Sequence, residues 1–229
     1  MIDDARPFRI AVLASGRGSN LQALLDAAPD SGFAVVGVFS DRASAQALDR
    51  ARAAGIAAVA IDPAAHPSRE AFDAALFDAV DTVSPDLVVC AGYLRILGDA
   101  AVARYSGRMI NIHPSLLPHY PGLRTHARAL AAGDRVHGAS VHYVIPALDA
   151  GPVLAQAQIA VLPGDTPASL AVRVLEREHP LLVACVRLIA AGRALQRGSV
   201  VLVDSRPLAA PLLLGDDGRL TDLADARQP

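Results

Sequence analysis

The stretch FRIAVLASGRGSNLQALLDAA, residues 8–28, decides the fold. Residues 8–15 are an apolar run that stops at Gly16, and from Asn20 the apolar residues recur at helical spacing, with Asn20 placed to cap the helix. This is a strand, a glycine turn and a helix. The same unit recurs as FAVVGVFSD then SAQALDRARAAG, IAAVAID then SREAFDAALFDAVDTV, and DLVVCAGY then DAAVARYSG, with Ser44 and Ser68 at N-cap positions.

Apolar strands alternating with helical segments predict an α/β, Rossmann-like fold. It has a mainly parallel, twisted sheet with helices on both faces, because right-handed crossovers leave helices on the two sides. Ligands of such sheets sit beyond the carboxyl ends of the strands. The polar residues to watch are therefore those of SGRGSN, FSDR, CAGYLR and NIHPS. From residue 139 the texture changes. ASVHYVIP and GPVLAQAQIAVLPGD read as paired strands around ALDAG, and a long helical segment runs from Thr166 to about Gly192. SVVLVD follows, and the tail beyond Arg206 is expected to be weakly structured.

With 229 residues, 52% of them hydrophobic, the chain can bury one sizeable core, so a single domain over 1–229 is expected. Within it three parts are expected, about 1–105, about 106–205 and a tail of about 206–229. A net charge of −2 gives no basic surplus for wrapping nucleic acid, so a small-molecule partner is expected. Cys90 and Cys185 lie in apolar runs without C-x-x-C spacing, as buried core thiols would. The N-terminus lacks a secretory signal's basic start, and no window reaches the about 20 apolar residues of a membrane span. A soluble, cytoplasmic protein is expected.

In SGRGSN, two glycines with Ser19 and Asn20 place free backbone N–H groups and a positive helix end at one spot, which favours a phosphate. The turn lacks a P-loop's lysine, and Leu21 occupies the third glycine position of a dinucleotide fingerprint. Asp41, at the end of the second strand, stands about where a ribose-binding acid would sit. A mononucleotide phosphate site, a dinucleotide site and a structural turn all remain open on these residues.

Five of the seven histidines fall between His113 and His142, yet none has the i, i+4 spacing of a helical zinc motif, and no metal site is expected. His66 and His126 read as ordinary surface or core histidines. Asn111 and His113, two apart at a strand end, share one face. The loop PSLLPHYPG behind them holds three prolines, which lower the entropy of ordering it. Asp149 in ALDAGP is the third group. A carboxylate beside an imidazole is expected to raise its pKa and favour the imidazolium, an acid able to stabilise an oxyanion. With no Cys or Ser nucleophile nearby, the trio suits direct acyl transfer in which the substrate supplies the nucleophile.

The pieces SGRGSNLQAL, SREAFD, AGYLRIL, NIHPSLLPHYPGL, HGASVHYV, LDAGPV and EREHPLL stand in order along nearly the whole chain. Together they resemble the phosphoribosylglycinamide formyltransferase family, folate-dependent enzymes of purine synthesis with the formyltransferase fold. The resemblance implies transfer of a formyl group from 10-formyltetrahydrofolate to the amine of glycinamide ribonucleotide (GAR), without a metal. It implies Asn111, His113 and Asp149 as the catalytic trio, and Gly18, Ser19, Asn20 and Glu178 on the GAR side. On the folate side it implies Arg69, Leu94, Arg95, Ile96 and Leu97, Asn111, and the loop Ile145, Pro146, Ala147, Leu148 and Asp149. His142 would stand behind the trio, about 1–105 would form the nucleotide-binding half, and about 106–205 the catalytic and folate-binding half. The two small molecules are the expected partners, with no nucleic acid or membrane, and the chain is expected to act as a monomer or homodimer.

Two departures bear on the site. Ala150 stands where the family usually has the first of paired glycines, and Leu175 where a polar residue often precedes the acid matched by Glu178. Relatives acting on initiator tRNA or on formyl-folate alone usually carry extra domains, which this chain is not expected to have. A nicotinamide-dependent oxidoreductase and a non-catalytic folate- or nucleotide-binding module are the rivals from other classes.

Overall fold

The computed structural model describes residues 6–222. The chain divides into two compact units, Met1–Met109 and Ile110–Pro229. The first alternates β1 (Phe8–Leu13), α1 (Ser19–Ala27), β2 (Phe33–Ser40), α2 (Gln46–Ala53), β3 (Ala57–Ala60), α3 (Arg69–Asp81), β4 (Leu87–Cys90) and α4 (Asp99–Arg104). Its strands run in the order β4-β1-β2-β3, every neighbouring pair parallel. Ile10 to Leu13 of the central β1 are wholly buried, which is why that strand reads as apolar without alternation. Leu13 is in register with Phe39 on one side and Cys90 on the other, so the three carboxyl ends lie together.

Two helix starts differ from the sequence expectation. α1 begins at Ser19 with Gly18 as N-cap, so Asn20 lies inside the helix and is buried rather than capping it. Gly18 has φ +71°, a left-handed backbone that favours glycine, and a Cβ there would stand 2.8 Å from Cα of Ala47. α2 is capped at Ala45 rather than Ser44, without a side-chain cap. The N–H of Ala47 donates instead to the carbonyl of Gly16, so the glycine turn does what a serine would have done. Ser68 does cap α3, accepting the N–H of Ala71 at 3.2 Å.

The second unit contains β5 (Met109–His113), which its residues join from Ile110, then α5 (Thr125–Ala132), β6 (Val136–Tyr143), β7 (Val153–Ala160) and α6 (Pro167–Ala190). β8 (Ala194–Arg197), β9 (Val200–Val203), β10 (Arg206–Pro207), β11 (Leu212–Leu214) and β12 (Leu220–Thr221) follow. β5, β6 and β7 pair antiparallel, β11 adds parallel to β7, and β12 pairs antiparallel with β11. β8, β9 and β10 form a separate antiparallel sheet. α6 starts with a capping box between Thr166 and Ser169 and a proline at its first position. Its buried stripe, including Leu170, Val174, Glu178, Leu181 and Cys185, recurs every three or four residues.

The expected weakly structured tail is corrected over its described part. Residues 206–222 carry β10, β11 and β12, and Leu212 and Leu214 are buried. LLL at residues 212–214 is too short to be read as a strand alone; pairing with β7 supplies its hydrogen bonds and its buried face. The rest of the tail lies outside the described residues. Both cysteines are free and buried, and burial pushes the Cys90 thiol up to about 12. Among the described residues no helix is long and apolar enough to cross a membrane.

Candidate active site

The second unit brings Asn111, His113, His142 and Asp149 together. β5 and β6 pair with Asn111 opposite His142 and His113 opposite Ser140, so Asn111, His113 and His142 share one face. Nδ2 of Asn111 lies 3.1 Å from Nε2 of His142, and Nδ1 of His142 lies 3.0 Å from the carbonyl of Tyr143. A carbonyl only accepts, so Nδ1 carries the donated hydrogen and Nε2 takes a hydrogen from Asn111. That contact orients the amide and leaves its second N–H free to donate.

His113 is fixed in the same way. Its Nε2 donates to the carbonyl of Tyr120 at 2.9 Å, and its Nδ1 faces Oδ2 of Asp149 at 3.4 Å. Asp149 Oδ2 also accepts the N–H of Gly122 at 2.8 Å, and Oδ1 lies 3.6 Å from Nε2 of His142. Only 9% of the Asp149 side chain is exposed.

The electrostatics correct one expectation. Burial lowers the His113 pKa, and this outweighs the Tyr120 carbonyl and Asp149, which both pull it up. Burial therefore favours the neutral form of His113. Burial also raises the pKa of Asp149, but its surroundings, the Gly122 N–H among them, bring it below the ordinary carboxylate value. The resting pair is an ionised carboxylate facing an imidazole whose open nitrogen is Nδ1. A proton arriving between them would be held by both.

The proline loop behind His113 is tied down by a buried polar cluster. The hydroxyl of Ser140 donates to the carbonyl of Ser115 and accepts the N–H of Leu117, while Gln156 Nε2 donates to the carbonyl of Leu117. His126 and His137 stand 3.1 Å apart through Nδ1 and Nε2, so His126 is a partnered residue of the site's surroundings. Ala150 is accommodated because the left-handed conformation of the loop falls on Asp149, with φ +50°. Gly151 is the position without room: a Cβ there would lie 1.8 Å from the carbonyl oxygen of Tyr143. Ile145 is half-buried, Pro146, Ala147 and Leu148 are exposed, and Glu178 and the half-buried Leu175 lie on α6.

In the first unit Gly18, Ser19 and Asn20 open α1 with no side-chain cap, and Nε of Arg50 donates to the carbonyl of Arg17 in the same turn. Arg69 is exposed at the start of α3. Leu94 and Ile96 are more than half exposed in the loop after β4, Leu97 is buried, and the guanidinium of Arg95 lies 5.0 Å over the Phe72 ring. Sequence reasoning missed Tyr120 and Gly122, which act through backbone atoms and leave no residue-type signal. Among the described residues no group of three or more His, Cys, Asp or Glu is placed to hold a metal ion.

Comparison with known proteins bears on what this arrangement belongs to. The formyl transferase family matches residues 8–186. The chain is 46% identical over 203 residues to phosphoribosylglycinamide formyltransferase of Escherichia coli, covering 88% of this chain and 96% of that protein. It is 46% identical over 196 residues to the protein of the same name from Mycobacterium tuberculosis, covering 82% and 88%. The solved phosphoribosylglycinamide formyltransferase of Coxiella burnetii superposes with a TM-score of 0.86 at 47% identity, covering 89% of this chain and 97% of that one. A protein with these motifs in this order, this Rossmann-like fold and relatives matched over most of their length belongs to the formyl transferase family, among the phosphoribosylglycinamide formyltransferases.

Proposed function

We propose that the protein transfers the formyl group of 10-formyltetrahydrofolate to the amine of GAR, giving formylglycinamide ribonucleotide and tetrahydrofolate in de novo purine synthesis. The observation that carries the mechanism is Nδ1 of His113 turned to Oδ2 of Asp149 at 3.4 Å, with burial favouring the neutral ring. The amine attacks the formyl carbon, and the carbonyl oxygen becomes an oxyanion. The free N–H of Asn111 donates to it, a contribution of roughly 3 kcal/mol for such a donor. The proton leaving the amine passes to Nδ1 of His113, directly or through water, where Asp149 holds the imidazolium. That cation strengthens the field on the oxyanion and then returns the proton to N10 of the folate as the C–N bond breaks. No proton is gained or lost overall.

Gly18, Ser19 and Asn20 hold the phosphate of GAR and Glu178 its ribose hydroxyls. Arg69, the backbone of Leu94 to Leu97 and the loop Ile145 to Asp149 hold the folate. On this reading the first unit is the nucleotide-binding half and the second the catalytic half. The enzyme works in the cytoplasm as a monomer or homodimer, with the two small molecules as its partners.

The test is consumption of 10-formyltetrahydrofolate by the purified protein with and without GAR. Loss of the formyl donor only when GAR is present is the expected result. Loss without GAR would mean a deformylase, and no loss in either case would remove the transferase reading.

A further inference from the structure

The loop after β4 exposes Leu94 and Ile96, yet its ends are anchored. At the near end the N–H of Leu94 donates to the hydroxyl of Ser15 at 3.0 Å, and the N–H of Ser15 donates to the carbonyl of Gly92. At the far end the N–H of Gly98 donates to Oδ2 of Asp73 at 2.8 Å, in a buried contact. Asp73 is only 3% exposed, and its other oxygen, Oδ1, has no hydrogen-bond partner. A buried carboxylate is costly to hold, and among the described residues Asp73 makes no ion pair that would offset the cost. Burial accordingly raises its pKa, against the pull of the Gly98 N–H and of Arg69.

What Asp73 touches explains its presence. It follows Arg69 by four residues on α3, so the two side chains share a helix face. A Cβ built on Gly98 would stand 3.1 Å from Asp73 Oδ2 and 3.5 Å from Arg69 Nη2, so the loop end, the carboxylate and the guanidinium pack at one point. Phe72, beside Asp73, carries the Arg95 guanidinium from the middle of the loop. α3 therefore grips the loop at Arg95 and at Gly98, and also carries Arg69.

We propose that Asp73 is a positioning residue for the folate: by holding the Gly98 N–H beside Arg69, it fixes the backbone of Leu94 to Leu97 and the Arg69 guanidinium relative to each other. The inference rests on the folate reading of those residues. Ser15 is its counterpart at the other end of the loop. Neither side chain takes part in the chemistry, so their loss should act on folate binding and leave the proton-transfer groups intact.

Asp73→Ala, Asp73→Asn and Ser15→Ala are compared with the wild type for KM of each substrate, for kcat and for hydrogen exchange at the Gly98 amide. Asp73→Ala is expected to raise the KM for 10-formyltetrahydrofolate about tenfold or more, the effect of losing a hydrogen bond to a charged group. The KM for GAR should stay within about twofold, and Gly98 should lose its protection. Asp73→Asn keeps an oxygen that can accept the Gly98 N–H, and should restore both readouts. Ser15→Ala should shift the folate KM in the same direction with Gly98 still protected, and it carries the test should Asp73→Ala fail to fold. An unchanged folate KM in Asp73→Ala or Ser15→Ala, or an equal rise in both KM values, would overturn the inference. Wild-type protein that does not use the folate would overturn the folate reading instead, while Gly98 exchange would still report whether Asp73 holds the loop.

Discussion

His113 is the residue on which the chemistry turns, and its two nitrogens have different neighbours. Nε2 is committed to the Tyr120 carbonyl, so Nδ1 is the nitrogen that gains or loses a proton in the rest of the cycle. Asp149 pulls the His113 pKa up against burial. Replacing Asp149 by Asn removes that pull, and His113 should then titrate lower still than in the wild type, as NMR of the imidazole would read. Turnover of Asp149→Asn should fall by roughly a hundredfold or more with GAR still bound, because the imidazolium formed in the reaction loses its counter-charge. A His113 that titrates higher in the variant, or near-normal turnover, would contradict the mechanism. The sequence singled out Asn111 and His113 by their residue types and two-residue spacing at a strand end, and Asp149 by its place between two apolar runs. The charge of His113 was not, because it depends on how much water the fold removes from the ring.

At the scale of elements, the pairing of β5 with β6 decides which side chains meet. The register sets His142 opposite Asn111, and a slip of β6 by one residue would turn His142 away from the site. The Asp149 loop is held by the lack of space at Gly151, 1.8 Å from the Tyr143 carbonyl for any added Cβ. Gly151→Ala should therefore push the loop outward, separating Asp149 from His113, with a loss of turnover larger than the loss of stability. Chemical denaturation beside steady-state rates would read the two effects. Gly138 serves as the contrast: its Cβ would strike the Ala157 carbonyl at 1.9 Å within the β6–β7 pair, so Gly138→Ala should act chiefly on stability. Ala150→Gly, at a position without the left-handed backbone, should gain little. The strands and helices were readable from periodicity, and Ser68 and Thr166 from capping chemistry. Ser44 was misread because the donor it would have capped bonds to the Gly16 carbonyl of another element.

The whole molecule should respond to pH through its histidines. Burial lowers the pKa of His113, His126 and His179, and brings His137 to about 4. An unfolded histidine takes up its proton near 6.5, and these do so later in the fold. Between about pH 6.5 and 4 the unfolded chain therefore binds more protons, and stability falls as the pH falls through that window. At lower pH the lowered carboxyl of Asp149 adds a further loss as it is protonated. The urea midpoint should decline steadily below about pH 6.5; a midpoint that stays level down to pH 4.5 would contradict the burial of these rings as the cause. By itself the sequence determined the α/β class, the order of the first eight elements, the glycine turn and the identity of the candidate reacting groups, because each is written in local periodicity, in residue chemistry or in short spacings. Tertiary structure alone decided the burial that lowers the His113 pKa, the backbone partners Tyr120 and Gly122, the strands of the tail as far as Thr221 and the anchoring of the loop by Asp73. Each of these depends on desolvation or on a hydrogen bond between residues distant in the chain, and neither is set by local sequence.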